Sequence, residues 1–90
     1  MADQFIKRVL GNEYDEPLEN ALIEVLLFRG AVAIDASVCV GGSQELKEVK
    51  FELDGHLITL EAETYMGLSI IGPALLVDEL VGIAMRSLDR

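Results

Sequence analysis

Ninety residues carry sixteen Asp and Glu against seven Lys and Arg, a formal net charge of −9, and yet 51% of the chain is hydrophobic. Phosphate backbones and anionic membrane surfaces repel such a chain, which argues against nucleic acid or membrane as its direct contact. The apolar content excludes an acidic disordered tail, so residues 1–90 are expected to form one small domain with an acidic skin.

In chain order, residues 2–10 read as a short helix, with Phe5, Ile6, Val9 and Leu10 on one stripe and Gly11 as its stop. Pro17 suits a first helical position, and a second helix is predicted to run to about Arg29. Its Leu18, Ala21, Leu22, Val25 and Leu26 repeat at the spacing of a core-facing surface. Ile23, Leu27 and Phe28 widen that stripe, so this helix is expected to be buried on more than one side. Gly30 ends it.

The period then changes to two. Val32, Ile34, Ala36, Val38 and Val40 alternate with Ala33, Asp35, Ser37 and Cys39, which predicts a half-buried strand over 31–40. Gly41-Gly42-Ser43 breaks the chain, and a second strand follows over 46–53. Asp54-Gly55 between alternating runs is a type I′ hairpin signal. A two-residue turn there sets Leu53 opposite His56, Phe51 opposite Ile58 and Val49 opposite Leu60. On the other face it sets Glu52 opposite Leu57, Lys50 opposite Thr59 and Glu48 opposite Glu61. The first set is nearly all apolar and the second mostly polar, a sorting that a one-residue slip would destroy. A turn near 65–67 leads to a fourth short strand over 68–72. Pro73 starts a last helix through about Leu88. The expected architecture is α+β: a four-stranded antiparallel meander with helices packed on one face, in the order α-α-β-β-β-β-α.

No stretch carries the spacing of a catalytic, nucleotide or metal motif. His56, the one histidine, sits beside a wet hairpin tip with no positioned partner for acid–base work. Cys39 has no basic neighbour to activate its thiol. The serines lack a nucleophile-elbow context, and Gly41-Gly42 reads as a turn rather than a phosphate cradle. Glu48, Glu61 and Glu63 lack a calcium-loop spacing and a supporting histidine. The chain is therefore expected to have no enzymatic activity, no cofactor and no metal site. One cysteine allows no internal disulfide. The first residues lack a signal-peptide core, and the longest uncharged apolar stretch, residues 66–77, is too short to span a bilayer. A cytoplasmic location is the expectation.

Two carboxylate clusters remain. Glu13, Asp15, Glu16 and Glu19 surround Tyr14. Glu16 and Glu19 suit a helix N-terminus, while Glu13, Tyr14 and Asp15 offer an acidic contact loop, because Tyr gives contact area at low entropy cost. The second cluster is the polar sheet face, Glu48, Glu52, Glu61 and Glu63, with Lys50 and Lys47 as its only cations and Asp35 alongside. In size and charge the chain resembles the bacterial toxin-neutralising immunity proteins and other small acidic inhibitors. The resemblance implies a module that engages a basic protein partner through an acidic surface. The other expectation is a structural subunit or homodimer, since Leu27, Phe28, Leu57, Met66, Ile71 and Met85 exceed what a small core hides.

Overall fold

The computed structural model describes residues 4–89. It comprises strand β1 (Phe5–Gly11), helix α1 (Glu16–Phe28), strands β2 (Val32–Gly41), β3 (Gln44–Leu53), β4 (His56–Glu63) and β5 (Gly67–Pro73), and helix α2 (Ala74–Ser87). The five strands form one sheet in the order β1-β5-β4-β3-β2, antiparallel throughout. β2 to β5 are the expected meander. The sheet has a fifth strand because residues 5–11, read from the sequence as helix, are extended and pair with β5. Residues 2 and 3 of that expected helix lie outside the described residues.

The reason for the difference lies in how β1 is used. Ile6 and Leu10 turn to the core, with Arg8 between them reaching Asp78 on α2. Phe5, Lys7 and Val9 share the opposite face with Ser69, Ile71 and Pro73. Each face thus holds two apolar residues around a cation. Such a strand shows no apolar–polar alternation, and its pairs at 5–6 and 9–10 imitate a helical stripe.

β1 and β2 lie at opposite edges, and α1 connects them. Thirteen helical residues extend about 20 Å, close to the ~19 Å across four inter-strand gaps. Asp15 caps the helix, its Oδ1 accepting the Leu18 N–H at 3.2 Å, and Pro17 occupies the first turn, where no N–H is needed. Leu18, Leu22 and Leu26 are fully buried. Leu27 and Phe28 are exposed, Phe28 by 90%, so α1 is buried along one stripe rather than on several sides.

Phe51, Leu53, Ile58, Leu60, Ala62, Leu68 and Ile70 join the buried residues of α1 and α2 in one apolar cluster. The register puts these strand residues on a single sheet face, here the first face. The β3–β4 pairing matches the expected one at all six positions named, from Leu53 with His56 to Glu48 with Glu61. Asp54 and Gly55 both hold positive φ, 52° and 80°, as a type I′ turn requires.

β2 departs from expectation. It is exposed along all ten residues rather than half-buried. Its register shifts between Ala33 and Asp35, so Ile34 is an extra residue, and the simple alternation does not survive the bulge. Ala33, Ala36, Val38 and Val40 pair with Phe51, Val49, Lys47 and Glu45. Val32 instead shares the second face with Glu52, against the sequence reading that grouped it with Val38 and Val40.

Candidate functional site: the acidic sheet face

The second face gathers the sheet carboxylates. Pairing sets Glu48 against Glu61, Glu52 against Leu57, Lys50 against Thr59 and Leu46 against Glu63. Asp35 pairs with Lys50 on the outer side. Asp35, Glu48, Glu52, Glu61 and Glu63 therefore share one surface, although they come from three strands. Lys47, expected to relieve this cluster, lies on the first face instead. It pairs with Ala62 there and reaches Glu19 of α1 at 3.1 Å. The relief comes from Lys50 and from Lys7, which sequence reasoning had placed on a helix.

Like charges directly opposite one another destabilise a sheet, and Glu48 and Glu61 meet in that way. Each has its own cation. Lys50 Nζ lies 3.6 Å from Glu48, and Lys7 Nζ lies 2.9 Å from Glu61. The second pair spans β5, because Lys7 is on β1 and Glu61 is on β4. The hydrogen bond to Glu61 raises the Lys7 pKa above its ordinary value; burial opposes it, and the charges of Glu61 and Glu63 add to the rise. Exposed pairs of this kind contribute about 0–1 kcal/mol each. Glu52 and Glu63 have no ion pair among the described residues. Among the described residues, five carboxylates against two ammonium groups leave the face with net charge −3.

The same face is partly apolar. Phe5 is 53% exposed and Val9 58%, and Leu57 is exposed between them and the hairpin end. Thr59 and Ser69 of this face are buried, and no buried side-chain N or O among the described residues lacks a hydrogen-bond partner. Apolar side chains within a polar, charged surround are how protein contact surfaces are commonly composed. The sequence reading missed Phe5 and Val9 because it took β1 as a helix. The signal available was the odd-numbered set Phe5, Lys7 and Val9, read at period two.

The other acidic cluster is elsewhere. Glu13, Tyr14 and Asp15 lie in the β1–α1 connection, and Glu13 and Tyr14 line a cleft of about 280 Å³ with Glu16, Glu19, Val40, Lys47 and Thr64. Lys47 and Val40 are first-face residues, so this cleft opens on the side opposite the sheet carboxylates. Asp15 is the N-cap of α1 and Glu19 is paired with Lys47, which ties both to the domain's own structure. Tyr14 is largely exposed, with its backbone N–H held by Asn12 Oδ1 at 2.8 Å.

His56 and Cys39 are both exposed, one at the hairpin end and the other on β2. Among the described residues no group of three or more His, Cys, Asp or Glu is arranged to hold a metal ion, and no helix is long and apolar enough to cross a membrane. No family model, no curated protein and no solved structure matches this chain.

Proposed function

We propose that this protein is a non-enzymatic binding module that receives a basic partner protein on the second face of its sheet. With both helices on the first face, the second face is left as a broad platform. The observation that carries the reading is the convergence of Asp35, Glu48, Glu52, Glu61 and Glu63 from three strands onto one surface that also displays Phe5, Val9 and Leu57. The carboxylates steer and orient a cationic partner, and the apolar residues slow its departure. An inhibitor of the immunity-protein kind would use such a surface to cover a basic toxin.

The test is affinity capture with the partner identified by mass spectrometry, run with the native chain and with Glu52→Lys/Glu63→Lys. These two glutamates are chosen because reversing them breaks no ion pair of the domain among the described residues. The expected result is a partner rich in Lys and Arg, with an association rate that falls steeply with salt, held by the native chain and lost by the variant. Equal capture by a folded variant would remove the second face as the contact.

A further inference from the structure

We propose that the free edge of β2 is the docking surface for a second copy of this chain, paired antiparallel about a two-fold axis at Val38. The inference is independent of the partner reading above.

The two sheet edges differ. β1 is seven residues long and carries Lys7 and Arg8, both held in ion pairs. Short length and charge are the usual protections of an edge. β2 is ten residues long, exposed throughout, and carries one charge, Asp35. Val32, Ile34, Val38 and Val40 are 62%, 52%, 60% and 70% exposed. A long, nearly uncharged, apolar edge is a template for another strand.

The hydrogen-bonding phase is set by the turn. Gly42-Ser43 is a two-residue loop, with Gly42 at φ +62°, and Gly41 pairs with Gln44 across it. In such a hairpin the flanking pair is hydrogen-bonded, and alternate residues along β2 then face β3. Glu45 confirms the phase, since its carbonyl accepts from Thr64 N–H at 2.9 Å, on the side away from β2. Ala36, Val38 and Val40 therefore present their N–H and C=O groups to the open edge.

The bulge-free part of β2 runs from Asp35 to Gly41, and Val38 is its midpoint. Antiparallel pairing about Val38 sets Val38 against Val38, Ala36 against Val40, Ser37 against Cys39 and Asp35 against Gly41. Every outward group then finds a partner, giving roughly six main-chain hydrogen bonds. The two Asp35 side chains end about 20 Å apart along the strands. Self-complementarity selects the occupant, because the same segment supplies both strands with every outward group paired and the carboxylates kept apart. Two chains of net charge −9 repel over most of their surface, and this nearly neutral segment is where a second copy can approach. The axis is perpendicular to the sheet, so both second faces lie on the same side and their carboxylates form one continuous surface.

The test combines sedimentation at about 100 µM with cross-linking in a Cys39→Ser background. A dimer is expected. Val38→Cys brings two thiols across the axis at a Cα separation of about 5.5 Å, inside the range a disulfide spans, and should cross-link on mild oxidation. Val40→Cys, at a comparably exposed site, leaves its thiols about 14 Å apart and should not. Val38→Pro removes an outward N–H without touching the β2–β3 ladder and should give a folded monomer by circular dichroism. Val38→Lys is a second variant with the same expected loss. A monomeric native chain, equal cross-linking at 38 and 40, or a dimer unaffected by both Val38→Pro and Val38→Lys would each overturn the proposal.

Discussion

Replacing Gly67 with alanine should loosen β1 from the sheet and cost far more than the same change at Gly30. Both glycines hold positive φ, +98° at Gly67 and +92° at Gly30, so the backbone penalty is comparable. That penalty is about 1–2 kcal/mol, partly offset by the lower unfolded-state entropy of alanine. The surroundings differ. A Cβ at Gly30 meets nothing within 4 Å, whereas at Gly67 it falls 2.4 Å from the Gly11 carbonyl oxygen and 3.3 Å from Val9 Cγ1. The obstructing atom is backbone, so relief requires the end of β1 to move. Overpacking of this kind adds about 1–3 kcal/mol, for a total near ~3 kcal/mol against ~1 at Gly30. A 90-residue domain has about 5–13 kcal/mol in hand. The Tm of Gly67→Ala should therefore drop by ~12 °C or more. Urea unfolding followed by circular dichroism measures both variants, and hydrogen exchange should show faster exchange confined to β1 in Gly67→Ala. Equal losses at the two positions would refute the reasoning.

Asp15→Ala should cost about 1 kcal/mol in urea unfolding by removing the cap of α1, and Asp15→Asn should recover most of it. The Lys7–Glu61 pair gives a pH signature. Folding raises the Lys7 pKa above its ordinary 10.5, so the pair's stabilisation is complete below that value and fades as pH rises through the folded pKa. Comparing the native chain with Glu61→Gln should show a gap of no more than ~0.5 kcal/mol after solvent screening, present at pH 8 and closed by strongly alkaline pH. A gap that widens with pH would contradict it. Gly72→Ala should destabilise moderately, because its Cβ meets Ile58 Cδ1 at 2.7 Å, an atom at the end of a side chain that can give way. Ile58→Val in the same chain should restore part of the loss.

What was legible in the sequence was what local rules govern. Asp54-Gly55 fixed a register whose two faces sort by polarity, and the structure has that register. α1 and α2 were legible from apolar spacing and from Pro17 and Pro73, with ends within a residue or two. The failures are at the two edges. An edge strand need not bury one face, so β1 could distribute Phe5 and Val9 to one side and Ile6 and Leu10 to the other, and the alternation was lost. In β2 the apolar residues are real strand formers, but strand propensity does not report burial, and Ile34 adds a bulge that local pattern does not reveal. The carboxylate face was legible as far as it depended on the β3–β4 hairpin. Its cations were not, because Lys7 arrives from a strand 54 positions away from Glu61.

That long-range contribution changes which carboxylates are available for recognition. The direct opposition of Glu48 and Glu61 would be costly by itself, and each is met by a lysine of the domain. A partner's Lys or Arg that bound either one would have to displace that lysine or share the carboxylate with it. Glu52 and Glu63 ask for no such exchange, and they lie at opposite ends of the β3–β4 ladder, paired with Leu57 and Leu46. Cationic groups of a partner are then drawn to two points separated along the strands by about six residue steps, roughly 20 Å, with Leu57 and Leu46 beside them. Two separated charge contacts fix orientation as well as encounter rate. Reversal of Glu52 alone and of Glu63 alone should each slow association in a salt-dependent way, while Glu48→Gln should change it little.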